Sequence, residues 1–270
     1  MLTRIFTALL GIIAAVLLIT YGGFVFSVAV FLIATLAWYE YARMIYRIAP
    51  VYSKPAVCAL AFIMLAASTS ESEVFLASLL ISFILLTFMI LVIPKKEMQS
   101  LFYTLVGVMY FGMGFGSLLV LRGADNLLAV NDVSIHAGVF LLWFALLGTW
   151  GSDTFAYFTG RFFGIHKMAP HISPKKTMEG LLGGMAGTLL LCMLFSWYFD
   201  FSLAFAFVLG LMVAIAAPMG DLFESYVKRV CDIKDSGNIL PGHGGMMDRF
   251  DSLLFVAPLL LATLSILRWF

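Results

Sequence analysis

Long apolar runs separated by short polar breaks dominate this chain, and the runs have the length that crosses a bilayer. They fall at about 5–21, 24–39, 55–69, 74–94, 101–121, 136–158, 179–198, 201–221 and 252–268. A helix rises 1.5 Å per residue and the hydrocarbon core is about 30 Å thick, so roughly 20 apolar residues make one crossing. Residues 5–39 read as one helix would run about 50 Å, too long for a single span. Gly22-Gly23 supplies the break that makes two. The pattern predicts an all-α, polytopic transmembrane protein of about nine spans. No soluble domain is expected, because the longest polar stretches, 159–178 and 222–251, read as loops between spans.

Composition agrees with the pattern. The chain is 63% hydrophobic and 11% charged, where soluble domains sit near about 45–50% and about 25%. Cys58, Cys192 and Cys231 lie far apart without CxxC spacing. They read as small apolar residues, neither a disulfide framework nor a zinc site. The first apolar run is not read as a signal peptide. No small-x-small cleavage site precedes Tyr21-Gly22-Gly23, and further spans follow at once.

Charge sets the expected direction. With nine spans, alternate loops share a side. One side then holds Arg4, Arg43, Arg47, Lys54, Lys95, Lys96, Arg161, Lys167, Lys175, Lys176, Lys228, Arg229, Lys234 and Arg249, leaving only Arg122 and Arg268 opposite. The basic side is expected in the cytoplasm. The N-terminus is therefore expected inside the cell and the C-terminus outside.

The polar residues divide the chain at about residue 135. Residues 1–135 are polar-poor and promise little chemistry. Glu40 and Arg43, spaced i,i+3 at a helix end, read as an ion pair at the membrane edge, and Glu71 and Glu73 as a solvated turn. Residues 136–270 carry the candidate chemistry. Asp153 falls inside a predicted span, where an ionisable group is costly and marks a functional site by default. Asp153, Tyr157 and Arg161, with Ser152 beside them, line one helix face. A polar seam between helices is the plainer reading of the same residues. Ser173-Pro174-Lys175-Lys176-Thr177 precedes an apolar helix that Ser173 or Thr177 can cap. The paired lysines serve either anionic lipid or a substrate phosphate.

Loop 222–251 adds three coinciding features. Asp221 ends one predicted span, Asp248 and Asp251 begin the next, and Pro241-Gly242-His243-Gly244-Gly245 lies between them. Glycines let backbone N–H groups approach a phosphate without obstruction. Each feature has a plain alternative: Asp251 can cap a helix, and the turn is no Walker loop because no Gly-Lys-Ser/Thr follows. Together they suggest phosphoryl or nucleotidyl transfer at the bilayer surface. Carboxylates at helix ends can hold Mg²⁺ with substrate phosphates, and lysines and arginines can neutralise phosphate oxygens.

This segment resembles the signature of the CTP:phosphatidate cytidylyltransferases, or CDP-diacylglycerol synthases. Their pattern runs Ser-x-apolar-Lys-Arg, four residues, Lys-Asp-x-small, two residues, apolar, Pro or Gly, x, His-Gly-Gly-apolar-x-Asp-Arg-apolar-Asp. Ser225 through Asp251 matches every specified position without a gap. A weaker likeness extends through Ser152-Asp153 and Ser173–Thr177, with Met178 where an aromatic is expected; the first 135 residues match in hydropathy alone.

The resemblance implies that the phosphate of phosphatidate attacks the α-phosphorus of CTP, releasing pyrophosphate and CDP-diacylglycerol with Mg²⁺. The lipid phosphate is itself the nucleophile, so no covalent enzyme intermediate is expected. Asp221 and Asp248 are the first metal-ligand candidates, with Asp251 and Glu224 as alternatives; whether one or two cations bind is open. Lys175, Lys176, Lys228, Arg229, Lys234 and Arg249 are candidates for phosphate contacts. His243, Gly244 and Gly245 are expected over the triphosphate, with Ser225 among the substrate contacts. The expected partners are CTP, phosphatidate and membrane lipids, with a homodimer left open and no nucleic acid. The expected location is the inner membrane, with the site facing the cytoplasm. The rivals are a CTP-dependent lipid kinase, a cytidylyltransferase for another lipid, an ion-coupled secondary transporter using Asp153 and Asp221, and a non-catalytic scaffold.

Overall fold

The computed structural model describes residues 2–89, 93–130, 133–242 and 244–269. His243, expected over the nucleotide, lies outside the described residues. In chain order the elements are α1 (Leu2–Tyr21), α2 (Gly23–Ile45), α3 (Ser53–Ala67), α4 (Ser72–Phe88), a 3₁₀ turn (Lys95–Glu97) and α5 (Met98–Arg122). A hairpin of β1 (Leu127–Val130) and β2 (Val133–His136) follows, then α6 (Ala137–Phe163) and a second hairpin of β3 (Lys167–Ala169) and β4 (Ser173–Thr177). The chain closes with α7 (Met178–Tyr198), α8 (Leu203–Val230), α9 (Met247–Phe250) and α10 (Leu253–Ile266).

Every predicted apolar run carries a helix. Five of these helices, α2, α5, α6, α7 and α8, are long and apolar enough to cross a membrane. Apolar segments Phe6–Tyr21, Ser53–Ala67, Ser72–Phe88 and Leu253–Ile266 are shorter. The protein is a mostly helical, multi-pass membrane protein.

Two local expectations change. First, the all-α reading missed both hairpins. In β1–β2, Leu127 pairs with His136 and Val130 with Val133; in β3–β4, Lys167 pairs with Thr177 and Ala169 with Ser173. Pro174 turns Ser173 away from helical backbone, which favours an extended strand there. Second, the stretches read as loops from 159 and 222 begin as helix. Both α6 and α8 continue past their apolar runs, to Phe163 and Val230. In α8 the extension is supported by i,i+4 contacts, Lys228 Nζ to Glu224 Oε2 at 2.5 Å and Ser225 Oγ to Asp221 Oδ1 at 3.5 Å.

The chain packs as two compact units. One comprises Met1–Gly123 and Val230–Phe250, the other Ala124–Arg229 and Asp251–Phe270. Segment 230–250 packs in the unit of the N-terminal helices.

In the first unit, α1 and α2 separate at Gly22 and Gly23, whose φ values of 62° and 52° suit glycine. Arg122, at the end of α5, donates from Nε to the carbonyl of Ile19 at 2.7 Å and from Nη2 to that of Thr20 at 3.2 Å. Those are carbonyls that the end of α1 leaves without helical partners. Trp38, Tyr41, Phe111 and Phe115 form the aromatic centre, with Tyr41 edge-on to Phe111 at 5.6 Å. Gly107 allows α5 to approach α2, since a Cβ there would stand 2.4 Å from the Tyr41 ring.

In the second unit, α6 and α7 pack through small residues. A Cβ on Gly184 would lie 3.0 Å from the carbonyl oxygen of Ser152, and one on Gly180 2.9 Å from that of Ala156. Close backbone approach of this kind drives helix association in a bilayer. It holds Ser152, Ala156 and Gly160 of α6 against the first turns of α7.

Candidate active site

The second unit brings Asp221 of α8 and Asp251 together. Gly220 is the contact point: a Cβ there would stand 2.4 Å from the carbonyl oxygen of Asp251 and 2.8 Å from Cα of Ser252. Only glycine permits that approach, and it brings Asp251 beside Asp221. Burial pushes the Asp251 carboxyl up to about 7, with the negative charges of Asp221 and Asp153 adding to the effect. Asp251 does not cap α10: Ser252 holds the N-cap position, and Asp251 Oδ1 accepts from the Ser252 N–H at 2.7 Å.

Lys176 reaches this cluster from β4. Its Nζ lies 2.5 Å from Asp221 Oδ2, with both side chains largely enclosed. The ammonium is buried and off the line of a good hydrogen bond, so the attraction is mainly ionic. Lys175 is exposed. Thr177 caps α7 as the sequence suggested, accepting from Gly180 N–H at 3.1 Å. Arg229 secures the turn of the hairpin by donating from Nε to the carbonyl of Ile172 at 3.1 Å. Two expected phosphate contacts, Lys176 and Arg229, therefore also hold protein groups.

Glu224 and Lys228 form a closed pair. Their side chains are 1% and 11% exposed, and Nζ donates to Oε2 at 2.5 Å. Lys228, expected at a phosphate, is thus paired with Glu224, and its positive charge also acts on Asp251. On α6, Arg161 donates to the Tyr157 hydroxyl at 2.7 Å and lies over its ring at 5.9 Å, bearing out the shared helix face.

In the first unit, the glycine-rich loop is folded around Asp248. Its Oδ2 accepts from Ser236 N–H at 3.1 Å, Ser236 Oγ at 3.0 Å and Gly245 N–H at 2.9 Å. Leu240 N–H donates to Gly244 O at 3.0 Å, and Gly242 and Gly244 take φ values of 78° and 83° that favour glycine. Lys234 and Arg249 are exposed. Asp248, proposed from sequence as a metal ligand, is thus seen organising the loop.

Glu40 overturns its sequence reading. It is 2% exposed, and its Oε2 accepts from Met247 N–H at 2.9 Å and Ser236 Oγ at 3.3 Å. The expected edge pair with Arg43 is replaced by bonds to the loop. The i,i+3 spacing suggested the nearer partner. The contrary signal was that Ala37, Tyr41 and Met44, its neighbours on the helix, all face inward.

The residues present fit a divalent cation that relies on substrate oxygens. Among the described residues, no group of three or more His, Cys, Asp and Glu side chains forms a ready cage. Mg²⁺ binds through one or two carboxylates plus phosphates and waters, and the mutual repulsion around Asp251 and Asp221 is what a cation would relieve.

Comparison with known proteins agrees with this chemistry. The sequence pattern of the cytidylyltransferase family matches residues 2–267. A phosphatidate cytidylyltransferase of Bacillus subtilis is 32% identical over 97% of this chain and 97% of its own length. One from Staphylococcus haemolyticus is 35% identical over 96% of this chain and 97% of its own. One from Staphylococcus aureus is 34% identical over the same shares.

Proposed function

The chain belongs to the cytidylyltransferase family, and on that premise we propose how it acts: it makes CDP-diacylglycerol and pyrophosphate from CTP and phosphatidate. The observation that carries this reading is the likeness to phosphatidate cytidylyltransferases over 97% of the chain. The cluster of Asp221, Asp251 and Lys176 supplies compatible chemistry.

A phosphate oxygen of phosphatidate bonds to the α-phosphorus of CTP as the bond to the pyrophosphate bridge oxygen breaks. Pyrophosphate leaves as an anion, so the enzyme must neutralise charge more than it must move protons. Lys175, Lys234 and Arg249, all exposed, are suited to meet phosphate oxygens. Lys176 lies beside Asp221, where its ammonium offsets carboxylate repulsion before substrate arrives. Asp221 and Asp251 would hold Mg²⁺, which would supply Lewis-acid stabilisation of charge on the phosphates. Asp248 holds the backbone of the glycine-rich loop in place by accepting from the Ser236 and Gly245 amides.

The basic loops support placing this chemistry at the cytoplasmic face of the cell membrane, where CTP is available. An anchored lipid and a soluble nucleotide then meet at the surface of the bilayer.

Purified protein in detergent–lipid micelles tests the activity. CTP with phosphatidate should release pyrophosphate and form CDP-diacylglycerol, and a chelator should stop it. Diacylglycerol lacks the attacking phosphate and should give nothing, as should dATP or GTP in place of CTP. Phosphatidate formed from CTP and diacylglycerol would instead establish a lipid kinase.

A further inference from the structure

Glu40 is a buried carboxylate that the chemistry above does not use, and it comes from the half of the chain that looked inert. A carboxylate shut away from water costs several kcal/mol unless hydrogen bonds replace its hydration. Glu40 meets that requirement at Oε2, through bonds to a single segment, while Oε1 is buried against the same segment without a hydrogen bond among the described residues. Oε2 takes Met247 N–H at one end of the loop and Ser236 Oγ at the other. Ser236 also donates from its backbone and hydroxyl to Asp248. A hydroxyl has one proton, so it serves one carboxylate at a time and ties the two into a shared network.

The loop is built to admit this carboxylate. A Cβ on Gly237 would stand 2.3 Å from Glu40 Oε1, and one on Gly245 2.6 Å from Oε2 and 2.8 Å from Oε1. Neither glycine has a positive φ. At Gly237 a side chain would collide with Glu40, and at Gly245 with both the Ser236 hydroxyl and Glu40. The bare backbone at Gly245 therefore reflects packing around the Glu40 carboxylate.

We propose that Glu40 is a positioning residue for the reaction: through Ser236 and Met247 it fixes the ends of the glycine-rich loop, so that the loop is held in register for the nucleotide phosphates. Its action depends on reach and on accepting hydrogen bonds. A net negative charge is not the essential property.

The proposal rests on the cytidylyltransferase reading, so its test has one arm that measures the loop and one that measures turnover. Hydrogen exchange of the 236–248 backbone is followed in full-length protein in micelles, for Glu40→Ala, Glu40→Gln and Glu40→Asp. Glu40→Gln keeps the length and an acceptor oxygen, so the loop should stay protected. Glu40→Ala and Glu40→Asp, which removes one methylene of reach, should both expose it. In the pyrophosphate assay, Glu40→Ala should lose about a hundredfold in kcat/KM for CTP, the scale expected for misplacement of about 1 Å. Its KM for phosphatidate should stay near wild type. Glu40→Gln should lose far less than Glu40→Asp. A merely structural role would lower kcat in proportion to folded protein and leave both KM values alone. That result, or rescue by Asp and not by Gln, overturns the proposal. If Glu40→Ala does not fold, Ser236→Ala should give a weaker form of the same exchange and KM changes, and their absence counts against it. If the wild type lacks cytidylyltransferase activity, the function reading fails, while the exchange arm still decides whether Glu40 holds the loop.

Discussion

The Lys176 ammonium lies 2.5 Å from the Asp221 carboxylate, joining the strand of a small hairpin to α8. A residue expected to bind phosphate and one expected to bind metal are thus paired with each other. The pair offsets part of the negative charge that Asp221 shares with Asp251. Each partner is then available to a substrate of the other sign at the cost of exchanging one ionic contact for another.

Asp221→Asn should remove most of the turnover while the protein still inserts and folds. Losing a carboxylate that carries a cation should cost several kcal/mol in the transition state. That is on the order of a thousandfold at about 1.4 kcal/mol per factor of ten. Added Mg²⁺ should help Asp221→Glu more than Asp221→Asn. Steady-state rates across a Mg²⁺ titration measure this, and near-normal turnover in Asp221→Asn would move the cation elsewhere. Lys176→Met should also slow the reaction, with Lys176→Arg retaining more rate.

The Glu224–Lys228 pair makes a different prediction, one about folding. Breaking a buried pair by removing one partner typically costs about 3–5 kcal/mol, because the other charge stays buried alone. Glu224→Ala should therefore give much less folded protein and a lower melting temperature in detergent. Replacing both, as Glu224→Leu with Lys228→Met, should recover most of that stability. Recovery of stability without activity would assign Lys228 a role in the chemistry too. A Glu224→Ala protein as stable as wild type would contradict the buried pair.

Asp251 should make stability depend on pH in the unusual direction. Its carboxyl is raised to about 7, above the ordinary unfolded value of about 3.9. The folded state therefore holds the proton more tightly than the unfolded state. Stability is lost as pH rises from about 4 to about 7 and stays reduced above that. With a chelator present, Asp251→Asn should melt higher than wild type at pH 8, and the difference should vanish near pH 4. Saturating Mg²⁺ should shrink the gap at pH 8 by stabilising the wild type. Thermal scans in detergent at the two pH values decide it; a constant difference at both would show that Asp251 is not held this way.

Topology can be read by labelling. Single cysteines at 71 and 200 should react with an impermeant reagent on intact cells, and those at 96, 170 and 238 should react only after permeabilisation. Outside labelling at 238 would put the glycine-rich loop on the wrong side for CTP.

The sequence by itself determined the helices, because burial in lipid is a local demand: each span must be apolar along its own length and close its own backbone hydrogen bonds. The break at Gly22-Gly23, the cap at Thr177 and the face shared by Tyr157 and Arg161 were legible for the same reason, since each involves residues within a few positions of one another. The segment Ser225–Asp251 was legible as chemistry because so many polar and glycine residues in a row have no apolar explanation. Tertiary structure alone decided which charge meets which. Lys176 chooses Asp221 across 45 positions, and Glu40 bonds Met247 across 207, passing over Arg43 three residues away. Gly220 brings Asp251 beside Asp221 through a backbone contact that no spacing announces. Ionic and hydrogen-bond partners are set by distance in space, and chain folding brings remote residues closer than neighbours that point apart. The inert-looking first half thus supplies the carboxylate around which the conspicuous loop of the second is built.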